Sequence, residues 1–198
     1  MKKFLTILIL ILTFQTPSRT DDIRDFQIEG MSIRDSLLKY VDENYIIEHS
    51  SNIYPIEGYL SFVKYFGPDS VYDGYQVHYK KGDKKYIIMV LEGIKLYENN
   101  INDCYKLRKE IVSEVKKLFK DIETHESRET ADGDPSGNST VTITRFYIDE
   151  NSEYESIQIS CYDWAENFKF ADGGRAVDKL TVTISTDEIF EFLEKAYN

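Results

Sequence analysis

From Asp73 onward the chain alternates, with Tyr75, Val77 and Tyr79 on one side and Gln76, His78 and Lys80 on the other, the period of a half-buried strand. Lys81-Gly82-Asp83 supplies a turn, and residues 84–97 predict a second strand. Its run Tyr86-Ile87-Ile88-Met89-Val90-Leu91 is apolar on both faces, as expected of a central strand covered on two sides. The period then changes. Across residues 103–120, Cys104, Leu107, Ile111, Val115 and Leu118 recur at three- and four-residue steps and so share one helix face, with Asn102 as cap. Lys106, Lys109, Lys116, Lys117 and Lys120 hold the opposite face. Alternation returns at residues 141–148, 154–162 and 177–184; in the second of these, Ile157, Ile159 and Cys161 point one way and Ser156, Gln158 and Ser160 the other. Ser185 and Glu188 form a capping box for a last helix, with Ile189, Phe190, Leu193, Ala196 and Tyr197 on its apolar side.

The remaining segments are less periodic. Residues 25–29 predict a short strand or extended lead-in ended by Gly30. Ser32, with Asp35 three residues on, predicts a helix carrying Ile33, Leu37, Leu38 and Val41 inward and continuing weakly to His49. Residues 60–66 form a short amphipathic piece between Gly58 and Gly67-Pro68, and residues 121–139 read as a long polar loop. The order is helix, two strands, helix, three strands, helix. Hairpin-type connections make this an α+β fold, a mostly antiparallel sheet of about five strands with helices packed on one face. Each half reads as a helix followed by a meander, without residue-level similarity between the halves.

The first twenty residues carry a different signal. Lys2 and Lys3 precede an apolar stretch at residues 4–14 and a polar stretch with Pro17, the order of a secretory leader, and the apolar stretch is about half a membrane span. The expected organisation is a signal peptide over residues 1–20 and a single α+β domain over residues 21–198, exported to a periplasmic or extracellular space with no membrane span in the mature chain. Removing the leader takes away Lys2, Lys3 and Arg19 and moves the net charge from −11 to −14. Such a surface repels phosphate backbones, so nucleic acid is excluded as the expected partner. Export also changes the meaning of Cys104 and Cys161. Both point inward from neighbouring elements, and outside the cytosol such a pair is expected to form a disulfide between helix and sheet.

Candidate chemistry is sparse. Asp132, Asp134, Ser136 and Asn138 stand at the alternate positions that open a calcium loop, but the twelfth position, normally a bidentate glutamate, is Ile143. His49, His78 and His125 have no ligand spacing among them. Glu92, Asp163 and Glu166, with Trp164 as an apolar wall, are the carboxylates that a hydrolase would use. No nucleophile elbow, zinc-helix motif, phosphate-binding glycine loop or dinucleotide fingerprint is present, so no catalytic residue and no cofactor is assigned.

The run Asp22-Ile23-Arg24-Asp25-Phe26-Gln27-Ile28-Glu29-Gly30-Met31-Ser32-Ile33, with Asn102-Asp103-Cys104-Tyr105-Lys106 and Cys161-Tyr162-Asp163-Trp164, resembles a group of small exported bacterial proteins without an assigned function. The resemblance implies export and transfers no catalytic residues. Gly30-Met31-Ser32 is also similar to the helix start of outer-membrane assembly accessory lipoproteins, although the leucine-glycine-x-proline that follows in that family is missing, as is the lipid-bearing cysteine. The expected function is a non-catalytic binding or interaction module of the cell envelope, its tyrosines facing an unknown protein or small-molecule ligand; the alternative is a carboxylate-based periplasmic hydrolase.

Overall fold

The computed structural model describes residues 23–197 apart from 68–69, 99, 120–121, 149–154, 167 and 171–172. The leader at residues 1–20 lies outside the described residues. Eight strands form one antiparallel sheet: β1 (Ser50–Ser51), β2 (Tyr59–Tyr65), β3 (Gly74–Lys80), β4 (Val90–Tyr97), β5 (Glu123–Thr130), β6 (Thr140–Tyr147), β7 (Ser156–Asp163) and β8 (Asp178–Ser185). Their spatial order is β1-β2-β3-β4-β8-β7-β6-β5. The helices are α1 (Glu43–Glu48), α2 (Ile101–Leu118) and α3 (Asp187–Tyr197). Each half is thus a helix followed by a four-strand meander, and the meanders meet where β4 pairs with β8 over its full length.

The α+β class and antiparallel sheet are as the sequence predicts, but the strand number is eight rather than about five. Two of the additional strands have identifiable causes. β5, read from sequence as loop, consists of Glu-Thr-His-Glu-Ser-Arg-Glu-Thr and carries no apolar residue, yet all eight of its residues pair with β6. Its backbone is recruited by the neighbouring strand, and its charges suit an edge that must not pair further. β2 takes up the amphipathic piece: Leu60 and Phe62 face the core and Tyr59 and Ser61 the other side.

The helix expected from Ser32 is largely replaced by irregular chain. Residues 34–37 run alongside residues 86–88: the Arg34 amide donates to the Ile88 carbonyl (2.7 Å), Ile88 to Asp35 (2.9 Å) and Leu37 to Tyr86 (2.9 Å). Arg34 (φ 67°) and Tyr86 (φ 51°) take left-handed backbone, which interrupts both helix and strand. The same pairing shortens the expected strand at residues 84–97 to β4, because its first half serves the N-terminal segment instead of β3. Ser32 donates to the Arg24 carbonyl (2.8 Å) rather than capping a helix, and helical structure is confined to a single turn at Leu37–Lys39 and to α1.

Register divides the sheet into two faces. On the covered face, Phe62, Val77, Leu91, Ile184, Ile157 and Phe146 form one lateral row, all fully buried. The N-terminal segment, α1 through Ile46, and α2 pack onto this side. At the centre Gly93 leaves room for Ile28 and Tyr72, whose atoms lie 3.0 Å and 2.8 Å from where its Cβ would be. The buried stripe of α2 is Cys104, Arg108, Ile111, Val112 and Val115, with Leu118 exposed, so the stripe is rotated from the one predicted. Cys104 and Cys161 form a disulfide between α2 and β7, with Cα atoms 6.1 Å apart. The helices do not all share one face: α3 lies against one end of the opposite side, where Ile189, Phe192 and Leu193 pack with Tyr54, Tyr59 and Val90. Tyr197, predicted inward, is exposed, and Phe192 takes that role. Among the described residues no helix is long and apolar enough to cross a membrane.

Candidate functional site

Beyond α3, the open face of the sheet carries a polar row, with Ile94 and Ile143 in the row next to it. Registers place Gln76, Glu92, Thr183, Gln158 and Arg145 side by side on five neighbouring strands, β3, β4, β8, β7 and β6, each half-buried. In an antiparallel sheet such lateral neighbours stand about 5 Å apart and interact directly. Gln76 donates to Ser61 Oγ (2.7 Å) and Thr183 donates to Glu92 Oε2 (2.9 Å). Arg145 Nε donates to Gln158 Oε1 (3.1 Å), and Gln158 Nε2 passes the chain on to Ser160 Oγ (3.1 Å). Glu92 and Arg145 are three strand spacings apart, roughly 14 Å, too far to neutralise each other. Neither is in an ion pair among the described residues.

Small hydroxyl residues flank this row. Ser61, Ser185 and Ser156 lie on the side toward α3, and Thr181 and Ser160 on the other, all buried between larger neighbours. Thr181 Oγ1 is buried with no hydrogen-bond partner, one of five such side-chain atoms among the described residues.

The trough, the strip of open sheet between α3 and Trp164, differs in chemistry at its two ends. At the α3 end, His78 follows two residues after Gln76 and its Nδ1 meets the Tyr54 hydroxyl. Burial depresses the imidazole to about 4, so it is neutral at physiological pH. Burial likewise drives the Tyr54 hydroxyl well above its ordinary range, with Tyr197, Tyr59 and Glu92 adding to it. At the far end Tyr162 is pushed up to about 12, by burial first and then by Glu92 and Asp132. Tyr162 stacks on Trp164 (5.8 Å, 14°), Trp164 stacks on Phe168 (5.2 Å, 13°), and Phe170 meets Trp164 edge-on. Lys179 Nζ stands 5.0 Å from the centre of the Tyr162 ring. The Glu92 carboxylate therefore acts on a tyrosine at each end, with a polar floor and aromatic groups at both margins. Such a surface can stack an apolar or planar face and hydrogen-bond a polar edge.

The residues singled out in the sequence fall in several places. Glu92 is at the centre of the floor, but Asp163 projects from the covered face, where it accepts from Tyr105 (3.1 Å), and Glu166 is exposed beyond the end of β7. The three carboxylates are not brought together. Trp164 is in the aromatic cluster rather than beside a carboxylate pair. His49 stacks on Tyr45 (3.8 Å between centroids), and His125 is exposed on β5 opposite Arg145.

In the loop of Asp132, Asp134, Ser136 and Asn138, Asp134 is buried and its carboxylate is fully engaged. Oδ1 accepts from the Ser136 amide (2.9 Å) and hydroxyl (2.7 Å), and Oδ2 from the Ser139 amide (3.0 Å) and hydroxyl (2.6 Å). The Ser136 and Ser139 hydroxyls hold the group down at about 2. Asp132, Ser136 and Asn138 are exposed around it, and Asn138 donates to Ser136 rather than turning its oxygen inward. A cation would have to displace the bonds that shape the hairpin. Among the described residues no group of three or more His, Cys, Asp and Glu is arranged to hold a metal.

Arg145, Gln158, Thr183 and Gln76 were not singled out by sequence reasoning, because each is one polar position in an alternating strand. Only the register makes them a row. Comparison with protein-family models, with characterised proteins and with solved structures gives no match, so the chemistry of the trough carries the functional reading.

Proposed function

We propose that this chain is an exported binding module that seats a polar ligand on the open face of its sheet. The observation that carries the reading is the row Gln76, Glu92, Thr183, Gln158 and Arg145: five half-buried polar side chains on five strands, including a carboxylate and a guanidinium that form no ion pair among the described residues. A sheet face meant only for water does not need buried hydroxyls beside its polar row, and one meant for a core helix is apolar. Hydrogen-bonding groups of both signs favour a ligand with donors and acceptors over a purely apolar one, and the aromatic margin at Trp164 favours one with a flat face. Non-catalytic binding fits better than hydrolysis, because Glu92, Asp163 and Glu166, the carboxylates that a hydrolase would use, are not brought together. Export is supported by the leader pattern at residues 1–20 and is compatible with the disulfide.

The test is an amide-detected NMR screen of the purified protein against small polar molecules with flat faces, including saccharides, nucleosides and short peptides. Saturable shifts centred on Glu92, Gln158 and Thr183, lost in Glu92→Gln/Gln158→Ala, are expected. A specific ligand whose shifts map elsewhere and survive that double substitution overturns the assignment.

A further inference from the structure

On the other side of the sheet, the groove between α2 and β5 contains a buried cation that forms no ion pair among the described residues. Arg108 is 7% exposed, the one charged residue of the buried stripe of α2. Its Nη2 donates to Thr144 Oγ1, its Nε has no acceptor, and no ion pair joins it to a carboxylate among the described residues. A guanidinium withdrawn from water with only the longer-range pull of Glu126 to offset it is costly, and that cost is recovered when an anion docks against it. Arg108 opens onto a groove of about 440 Å³ whose lining includes Lys109, Ser113, Lys116, Lys117 and Glu126. Four cations against one carboxylate make this a positive pocket on a chain whose net charge is −11. Glu126 is spread thinly, reaching Lys116 only at 3.9 Å, and Lys117 is already held by Glu114 at 2.6 Å.

We propose that this groove is an oxyanion site, binding a phosphate or carboxylate group carried by a small molecule, with Arg108 as the anchoring cation and Lys109 and Lys116 at its rim. The planar guanidinium matches an oxyanion geometrically, and lysines on the rim supply charge without fixed direction. The volume suits a small molecule. The site is on the opposite side of the sheet from the trough and does not depend on it.

The test titrates the purified protein with inorganic phosphate and, separately, with citrate at constant ionic strength, following the amides of Ser113 and Lys116 by NMR. Saturable shifts are expected with at least one probe; the one that saturates at lower concentration identifies phosphate or carboxylate as the preferred group. Arg108→Met is expected to weaken binding by about tenfold or more, the worth of one charge-assisted hydrogen bond. Should Arg108→Met fail to fold, Lys109→Gln/Lys116→Gln decides, because both lysines are exposed; a several-fold weakening is expected. Linear, non-saturating shifts with both probes, or equal affinity in the folded variants, overturn the proposal.

Discussion

The Tyr54 hydroxyl meets Nδ1 of His78 beneath α3, a contact that joins the loop before β2 to the open face of β3. With the imidazole neutral, the ring tautomer sets which of the two groups donates in this hydrogen bond. The folded imidazole titrates at about 4 because of burial, against 6.5 when free, so the unfolded chain binds the extra proton first. The contribution of His78 to stability is complete above pH 6.5 and is lost as pH falls from there toward 4. The expected slope is about 1.4 kcal/mol per pH unit over that window. Urea denaturation at pH 7, 6 and 5 measures it; His78→Gln is expected to flatten the dependence, and an unchanged slope in that variant contradicts the assignment.

Reducing the Cys104–Cys161 disulfide opens a loop closed across a separation of 57 residues. The chain-entropy argument makes this worth about 4 kcal/mol, a large share of the stability of a domain this size. Urea midpoints of the oxidised protein and of Cys104→Ser/Cys161→Ser should differ accordingly. Hydrogen exchange should accelerate first in α2, since the sheet keeps its own ladders.

Gly93→Ala places a methyl 2.8 Å from Tyr72 and 3.0 Å from Ile28. Both belong to the layer that covers β4, so the strain passes to the N-terminal segment. A loss of about 1–3 kcal/mol is expected, the usual cost of overpacking a filled core. Thermal unfolding measures the loss, and stability equal to the parent would show that the layer is loosely packed.

Asp134→Asn replaces a carboxylate that accepts four hydrogen bonds with an amide that can accept at only one oxygen. The β5–β6 hairpin should loosen, the melting temperature should fall, and hydrogen exchange should rise at Ser136 and Ser139. In the parent protein the carboxylate is depressed from 3.8 to about 2, so this support is complete above pH 3.8 and is lost as pH falls from there toward 2.

Legibility of the fold follows how much each segment decides for itself. β7 was readable because Ile157, Ile159 and Cys161 are buried on one face, and α2 because its stripe meets that face. β5 was hidden because an edge strand of polar residues is defined by the backbone of β6 and not by its own pattern. The segment from Ser32 has a helix-start pattern, but Leu37 and Ile88 are fully buried in an irregular crossing whose partner lies about fifty residues away in sequence. The disulfide was legible because both sulfurs point inward from recognisable elements. The trough was not, since Gln76 and Arg145 become neighbours of one site only once four strand registers are fixed.

The strand at the seam of the sheet, β8, follows the seven others in the chain. Until it emerges, β4 has an empty flank and the β5–β7 meander has nothing to dock on, so a chain folding as it is synthesised stays in two unfinished pieces. Completion waits for residues 178–185. β8 is thus the latch that locks the two halves to each other.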